Sequence, residues 1–313
     1  MKYLVTGAAG FLGSHLTDAL LAQGHDVVGV DNMLSGRAKN LENAKTHEGF
    51  SFHHHDVIEP LSGQYDRIFH LAAPASPPLY QTDPVATAKT CFLGTLNVLE
   101  LARATGARVT MTSTSEVYGD PEQHPQTETY LGNVNPVGPR ACYDEGKRIA
   151  ETLAFDFRRM YGVDVRAARL FNTYGPRMDP EDGRVVSNFI MQALTGKDIT
   201  LYGDGSQTRS FCYYTDVIRG LIALMEADTV DAPVNLGNPF EIDMRQIARI
   251  VLDAVGSDSN LVHRPLPEDD PTRRQPDIRR AGELLGWAPE VSVEEGVAKT
   301  VTYFKEYVLE RVA

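Results

Sequence analysis

Residues 2–13 read KYLVTGAAGFLG, and this stretch decides the fold. Lys2 to Thr6 has the pattern of a buried strand. Gly7, Gly10 and Gly13 then lead into a helical pattern over 12–23. In that place glycines permit a tight turn and a close backbone approach, and the helix start offers unbonded N–H groups to a pyrophosphate. Glycine triplets also mark ordinary turns, so the context matters. DVVGVD (26–31) reads as a second strand ending in Asp31, which lies 18 residues beyond Gly13, near the ~20 expected of a ribose-binding acid. Its carboxylate would accept from an adenosine 2′-hydroxyl and repel a 2′-phosphate, which favours NAD over NADP. Arg37, close by in sequence, weakens that discrimination. Asp56, at the end of a third strand, is a candidate for the adenine.

Working outward, RIFHLAA (67–73), ARVTMTS (107–113) and DVRAARLF (164–171) read as further buried strands, with helices over 84–105 and 143–161. Strand–helix alternation at this spacing predicts an α/β fold, a doubly wound parallel sheet of Rossmann type. Beyond residue 172 the pattern loosens into Gly/Pro/Asp-rich pieces between short helices and strands. A smaller C-terminal α/β substrate lobe is expected there, with a division at 1–172 and 173–313 and some segments crossing back. The stretch 260–276 reads as mostly loop. Amphipathic helices follow around Leu284 and Val301, and Trp287 is expected to pack the second lobe's core.

The 313 residues carry 30 Lys+Arg against 42 Asp+Glu, a formal net charge of −12. That argues against a nucleic-acid binder or a polybasic membrane-surface protein. Cys91, Cys142 and Cys212 are too widely spaced for a disulfide framework or a metal pair. His53, His54 and His55 alternate faces on a strand and cannot readily converge on one ion, so no metal is expected. No apolar run approaches the ~18 residues of a spanning helix. A cytoplasmic protein without membrane or nucleic-acid partners is expected.

Tyr143-Asp-Glu-Gly-Lys147 adds chemistry. Residues four apart share a helix face, so the pair puts an ammonium beside a phenol. A nearby positive charge, plus that of an oxidised nicotinamide, favours phenolate and is expected to lower the Tyr143 pKa from about 10. The phenolate can then accept a hydroxyl proton as hydride leaves the same carbon. The pair follows Ser113-Thr-Ser-Glu-Val-Tyr-Gly119 at a strand end. With the Gly7–Gly13 spacing, these motifs resemble the extended short-chain dehydrogenase/reductase family, whose members begin work on nucleotide sugars by removing hydride from C4.

Several longer stretches resemble one branch of that family, the UDP-glucuronate decarboxylases (UDP-xylose synthases): Ala73-Pro-Ala-Ser-Pro-Pro-Leu-Tyr80, Arg140-Ala-Cys-Tyr-Asp-Glu-Gly-Lys-Arg148, Asn172-Thr-Tyr-Gly-Pro-Arg177 and Gln207-Thr-Arg-Ser-Phe211. The resemblance implies NAD recycled within the site and UDP-glucuronate decarboxylated to UDP-xylose through a UDP-4-keto intermediate. UDP-sugar 4-epimerases and decarboxylases that release the 4-keto pentose are the alternatives in the family. A non-catalytic NAD-sensing protein is the distant one.

It implies catalytic roles for Tyr143, Lys147, Thr114, Ser115, Glu116 and Arg274. Thr114 would share the substrate proton. Ser115 stands where dehydratases carry Asp, Glu116 would handle the sugar ring, and Arg274 would meet the uronate or supply a proton. It implies NAD contacts from Gly7, Gly10, Phe11, Leu12, Gly13, Asp31, Asn32, Asp56, Val57, Leu71 and Ala73, with Tyr143 and Lys147. For the UDP-sugar it implies Ser76, Tyr80, Lys89, Asn97, Asn172, Arg184, Arg209 and Arg274. It also implies a homodimer formed through the helices 84–105 and 143–161.

Overall fold

The computed structural model describes residues 1–266, 271 and 273–312. Seven parallel strands form one sheet in the order Val234–Leu236, Val165–Leu170, Arg108–Thr114, Arg67–His70, Lys2–Thr6, Asp26–Asp31, Phe50–His54. The inner strands carry apolar residues on both faces: Val27, Val28 and Val30 are all buried, as a sheet covered on two sides requires. One face packs Leu16, Leu20 and Phe69 against Val217, Leu221 and Leu224 of the helix Tyr214–Glu226. The other packs Ile68, Val109 and Met111 against Val98, Leu99, Ala150 and Ala154. The chain runs outward one way from Lys2–Thr6 and then the other way, so this strand is the switch point. Ligand crevices form beyond the carboxyl ends of strands at such points.

A further core joins Tyr174, Phe189, Ile190, Leu201, Ile247, Val251, Val297 and Phe304. Residues after 172 are shared between the two structures. Val234–Leu236 pairs with Val165–Leu170 at the sheet edge, and the helix Tyr214–Glu226 covers a sheet face. Trp287 follows them. Contrary to expectation it packs in the large-sheet core, 2% exposed, because its indole N–H donates to the Asp216 carbonyl at 2.9 Å on that helix.

Two other expectations change. The helix expected over 84–105 is interrupted: Pro84–Lys89 and Thr95–Thr105 flank a π-helical turn, Thr90–Gly94. Thr90 Oγ1 donates to the Ala86 carbonyl at 2.9 Å, and such back-bonding loosens a helical ladder. The stretch 260–276 holds strands at Leu261–Arg264 and Arg273–Arg274, which pair in parallel with Ile199–Tyr202 and Thr208–Ser210. Residues 267–270 and 272 of that stretch lie outside the described residues. The two expected C-terminal helices are Arg279–Leu285 and Val293–Val312. Among the described residues no helix is long and apolar enough to cross a membrane.

Two histidines are held neutral inside the fold. Burial, then the charge of Lys147, pulls His70 down to about 3, and its ring nitrogens bond the Thr6 and Thr95 hydroxyls at 2.8 and 3.3 Å. Burial pulls His15 down to about 4; it stacks on Tyr214 at 3.8 Å and bonds the Pro176 carbonyl at 2.9 Å. The unfolded chain protonates both near pH ~6.5, whereas the native state does not. Their contribution is therefore complete above that pH and drains away as pH falls toward 4. Replacing His70 with Asn should remove about 2 kcal/mol from the difference in unfolding free energy between pH 7 and pH 5, read by urea titration. An unchanged difference would mean that His70 protonates within the fold.

Candidate active site

A cavity of about 990 Å³ opens along the carboxyl edge of the sheet. At one end lies the glycine turn. Gly7 has φ of +72°, and a Cβ there would sit 2.9 Å from Ala72 N. A Cβ on Gly13 would come within 2.0 Å of the Gly7 carbonyl oxygen. The helix Phe11–Ala22 therefore begins hard against the turn, its first N–H groups uncovered by any side-chain cap. Asp31 closes this end, accepting from Ala9 N at 3.0 Å and Met33 N at 2.8 Å. Burial raises its carboxyl pKa, and those two N–H groups offset part of the rise.

Gly7, Gly10, Phe11, Leu12, Gly13, Asp31, Asn32, Val57, Leu71 and Ala73 all line this space. Asp56 does not; it accepts from Asn32 Nδ2 at 2.9 Å and orders the lining from behind. Arg37 lines the cavity too, with its guanidinium 2.5 Å from Asp179 of a later loop. A cradle that admits no Cβ, next to a helix start and a carboxylate, fits a dinucleotide.

The middle of the cavity carries the proton chemistry. Tyr143 and Lys147 lie on the helix Ala141–Tyr161, and Thr114 ends the strand Arg108–Thr114. Tyr143 lies beside the Thr114 side chain, which favours its phenolate, and stacks parallel to Tyr80 at 5.1 Å. Among the described residues the Tyr80 hydroxyl is buried without a hydrogen-bond partner. Lys147 Nζ donates to the Thr112 carbonyl at 2.9 Å and lies 5.8 Å from the Tyr143 ring centre. Without the coenzyme's charge, these groups alone do not lower the Tyr143 pKa. Burial pushes the phenol up, and Cys91, Glu116 and Asp144 push the same way. The ammonium is spent on a carbonyl and is too distant to reverse that.

Beyond Thr114 a charged cluster forms the third part. Arg274 holds Glu116 in a two-point clasp: Nη1 donates to Oε1, and Nη2 to Oε2 at 3.0 Å. Arg140 adds a donor to Oε2 at 2.7 Å, and Arg274 Nη1 reaches Ser115 Oγ at 3.2 Å. Burial alone would raise the Glu116 pKa, yet the two guanidiniums hold it down at about 2. Burial, then the Glu116 charge, pushes neighbouring Asp144 up to about 7. Glu116 is thus a fixed anion and no acid near neutrality. The Arg274 fork is already occupied, and its buried Nε has no partner among the described residues.

Ser76, Tyr80, Asn172, Arg184 and Arg209 also line the cavity. Arg184 pairs with Asp182 at 2.5 Å, and Arg209 donates to the Thr208 carbonyl at 2.9 Å. Two expected substrate contacts fall outside: Lys89 is exposed, and Asn97 donates to the Val57 carbonyl at 2.9 Å. Arg140 is the group that sequence reasoning missed. Its only signal was a lone cation just before the helix of Tyr143.

The fold and this site define a dinucleotide-dependent enzyme acting on a bulky polar ligand. Residues 3–237 match the NAD dependent epimerase/dehydratase family, and the chain belongs to it. Within that family it is similar to UDP-glucuronic acid decarboxylase 1 of Xenopus tropicalis, 55% identical over 305 residues, spanning 97% of this chain and 72% of the relative. Similarity to UDP-glucuronic acid decarboxylase 6 of Arabidopsis thaliana is 53% over 298 residues, 95% and 87% of the two chains. Among solved structures, UDP-glucose 4-epimerase of Thermotoga maritima superposes with a TM-score of 0.89 at 32% identity, covering 98% of this chain and all of that one. UDP-glucuronic acid 4-epimerase from Bacillus cereus, solved with UDP-glucuronic acid and NAD, gives 0.89 at 28% with the same coverage.

Gly13→Ala should cut NAD retention by about ten-fold or more, since the added methyl must displace the Gly7 carbonyl. NAD released from the purified, denatured protein and measured by chromatography checks this. Full occupancy with an intact fold would refute the cradle.

Proposed function

We propose that this chain decarboxylates UDP-glucuronate to UDP-xylose, with NAD held and recycled in the cavity. The observation that carries the reading is the joining of Tyr143, Lys147 and Thr114 with Ser115, Glu116 and Arg274 in one cavity. It is supported by 53–55% identity to named UDP-glucuronic acid decarboxylases over nearly the whole chain. In this reading residues 1–172 hold NAD and 173–313 bind the nucleotide sugar. Asn172, Arg184 and Arg209 face the uridine diphosphate, which suits guanidinium forks.

Bound NAD supplies a hydride acceptor and donor at C4 and, when oxidised, a positive charge beside the phenol. Tyr143 takes the C4 hydroxyl proton and later returns it, with Thr114 sharing the hydrogen bond. A ketone at C4 makes the C5 carboxylate part of a β-keto acid. Carbon dioxide leaves as its bonding electrons move toward that ketone, and C5 takes up one proton in its place. Glu116, permanently charged, acts as an acceptor for the ring and as the anchor of Arg274, not as the acid. Ser115 Oγ accepts from Arg274 and keeps its own O–H free to donate.

The epimerase superpositions favour one rival, a UDP-sugar 4-epimerase, which would release no gas. Incubation with UDP-glucuronate should yield carbon dioxide and a UDP-pentose with no build-up of absorbance at 340 nm. Tyr143→Phe should lower turnover by about 10³-fold while leaving UDP binding intact. Gas-free interconversion of UDP-hexuronates would favour the rival, and accumulating NADH would indicate release of the 4-keto pentose.

The same reading makes the protein a cytoplasmic homodimer. Val85, Phe92, Ile149, Met160 and Tyr161 are exposed on the segments 84–105 and 141–161, and a second copy would cover them. Sedimentation equilibrium at micromolar concentration should give twice 34.5 kDa. A mass of one chain would overturn the dimer.

A further inference from the structure

The helix Ala141–Tyr161 meets the strand Arg108–Thr114 at three successive turns. Tyr143 lies beside the Thr114 side chain. Lys147 Nζ donates to the Thr112 carbonyl at 2.9 Å. One turn further on, Glu151 Oε1 accepts from Ser113 Oγ at 2.5 Å. Three helix residues spaced four apart thus face three consecutive strand residues, two of them through hydrogen bonds. The first two belong to the proposed chemistry. Glu151 does not line the cavity, and nothing so far gives it a task.

Glu151 is buried and held from a second side. Arg169, directly opposite Ser113 in the adjacent strand, donates from Nε to Oε1 at 2.9 Å and from Nη2 to Oε2 at 2.7 Å. Arg169 Nη1 also reaches the Tyr118 hydroxyl at 3.0 Å, and that hydroxyl donates to Asn235 Oδ1 at 2.8 Å. Tyr118 lies in the same short turn as Glu116. One polar network therefore runs beneath the lysine helix, the Thr114 strand end and the Glu116 turn.

We propose that Glu151, clamped by Ser113 and Arg169, is a positioning residue that keeps Lys147 a cation and sets Tyr143 against Thr114. The groups facing Lys147 are Tyr143 and Glu151 on its own helix, Cys91 from the turn Thr90–Gly94, and His70 and the Thr112 carbonyl from the sheet. Burial pulls the Lys147 pKa down, and Cys91 and Glu151 oppose that. The Cys91 thiol is itself raised by burial, and His70 is neutral. This leaves Glu151 as the anion that offsets the burial of the ammonium. The carboxylates that act on Tyr143 are instead Glu116 and Asp144.

The test follows the eight lysines of the NAD-loaded protein by NMR after labelling the lysine ε-carbon, with Lys147→Met assigning the resonance. Glu151→Gln should lower the Lys147 midpoint by about one pH unit or more. Arg169→Gln leaves the carboxylate and removes its competing cation, so it should raise the midpoint or leave it. A brace that merely held the fold together would lower both alike. In carbon dioxide release, Glu151→Gln should lower kcat about ten-fold with KM changed by less than about three-fold, and the alkaline limb of kcat should move down with the midpoint.

Glu151→Asp returns the charge on a shorter arm and should restore part of each. It also carries the test if the Gln variant fails to fold. An unshifted Lys147 midpoint in Glu151→Gln, or an equal fall in both variants, overturns the proposal. The kinetic arm rests on the decarboxylase reading and the titration arm does not. A protein inert toward UDP-glucuronate would sink that reading while the titration still tests this one.

Discussion

A carboxylate removed from water must find cations or lose its charge, and Glu116 meets that demand with two guanidiniums. One of them, Arg274, comes from 158 residues further along the chain. Binding it obliges the chain, after building most of a second core, to return to the sheet edge. The return is fastened just beyond the arginine. Gln275 N donates to Gln126 Oε1 at 2.8 Å, and the Asn235 amide donates to the Asp277 carbonyl at 3.1 Å. Removing one partner of such a pair leaves a buried charge exposed to a low dielectric, which costs far more than the intact pair gains. The cavity keeps its shape because this junction cannot open cheaply.

What the sequence made legible is what local patterning controls. The glycine turn, the strand around Val27–Val30 and the four-residue spacing of Tyr143 and Lys147 each follow from steric or periodic rules acting over a few residues. Their placement along one sheet edge then follows from parallel topology. The clasp on Glu116 was not legible, because nothing near either residue announces a partner so distant in sequence. The π-helical turn at Thr90–Gly94 escaped for another reason: a helical period carries no mark of one hydroxyl bonding back to its own ladder. Trp287 was misplaced because its apolar character indicates burial without saying in which core. Its indole N–H, which needs an acceptor, settles that only in three dimensions.

Of the two positive charges expected to act on Tyr143, the ammonium of Lys147 contributes little because of its geometry. An ammonium four residues along the helix does lie on the same face, but its N–H bonds turn to the Thr112 carbonyl, and the phenol is enclosed. Burial dominates the balance. A phenol tuned this way would keep its proton unless a further positive charge lay beside it, and bound oxidised coenzyme would supply that charge. For a cycle with no net oxidation that dependence is useful, since a phenolate formed early would have no hydride acceptor beside it.

Ser115 shows how one side chain can divide related chemistries on this scaffold. Its hydroxyl accepts from Arg274, the same guanidinium that clasps Glu116. An aspartate at this position would bring a second carboxylate into the cluster and compete for that fork. The Coulomb cost in a partly dry cavity would then fall on whichever anion lost it. Burial and the Glu116 charge already push the neighbouring Asp144 carboxyl up, so a second full negative charge in the cluster is costly. A substrate that brings its own carboxylate meets the same limit. In the proposed reading a neutral donor at 115 would let the site accept an acidic sugar, whereas an acid there would suit a sugar whose C6 is a hydroxyl waiting to be protonated.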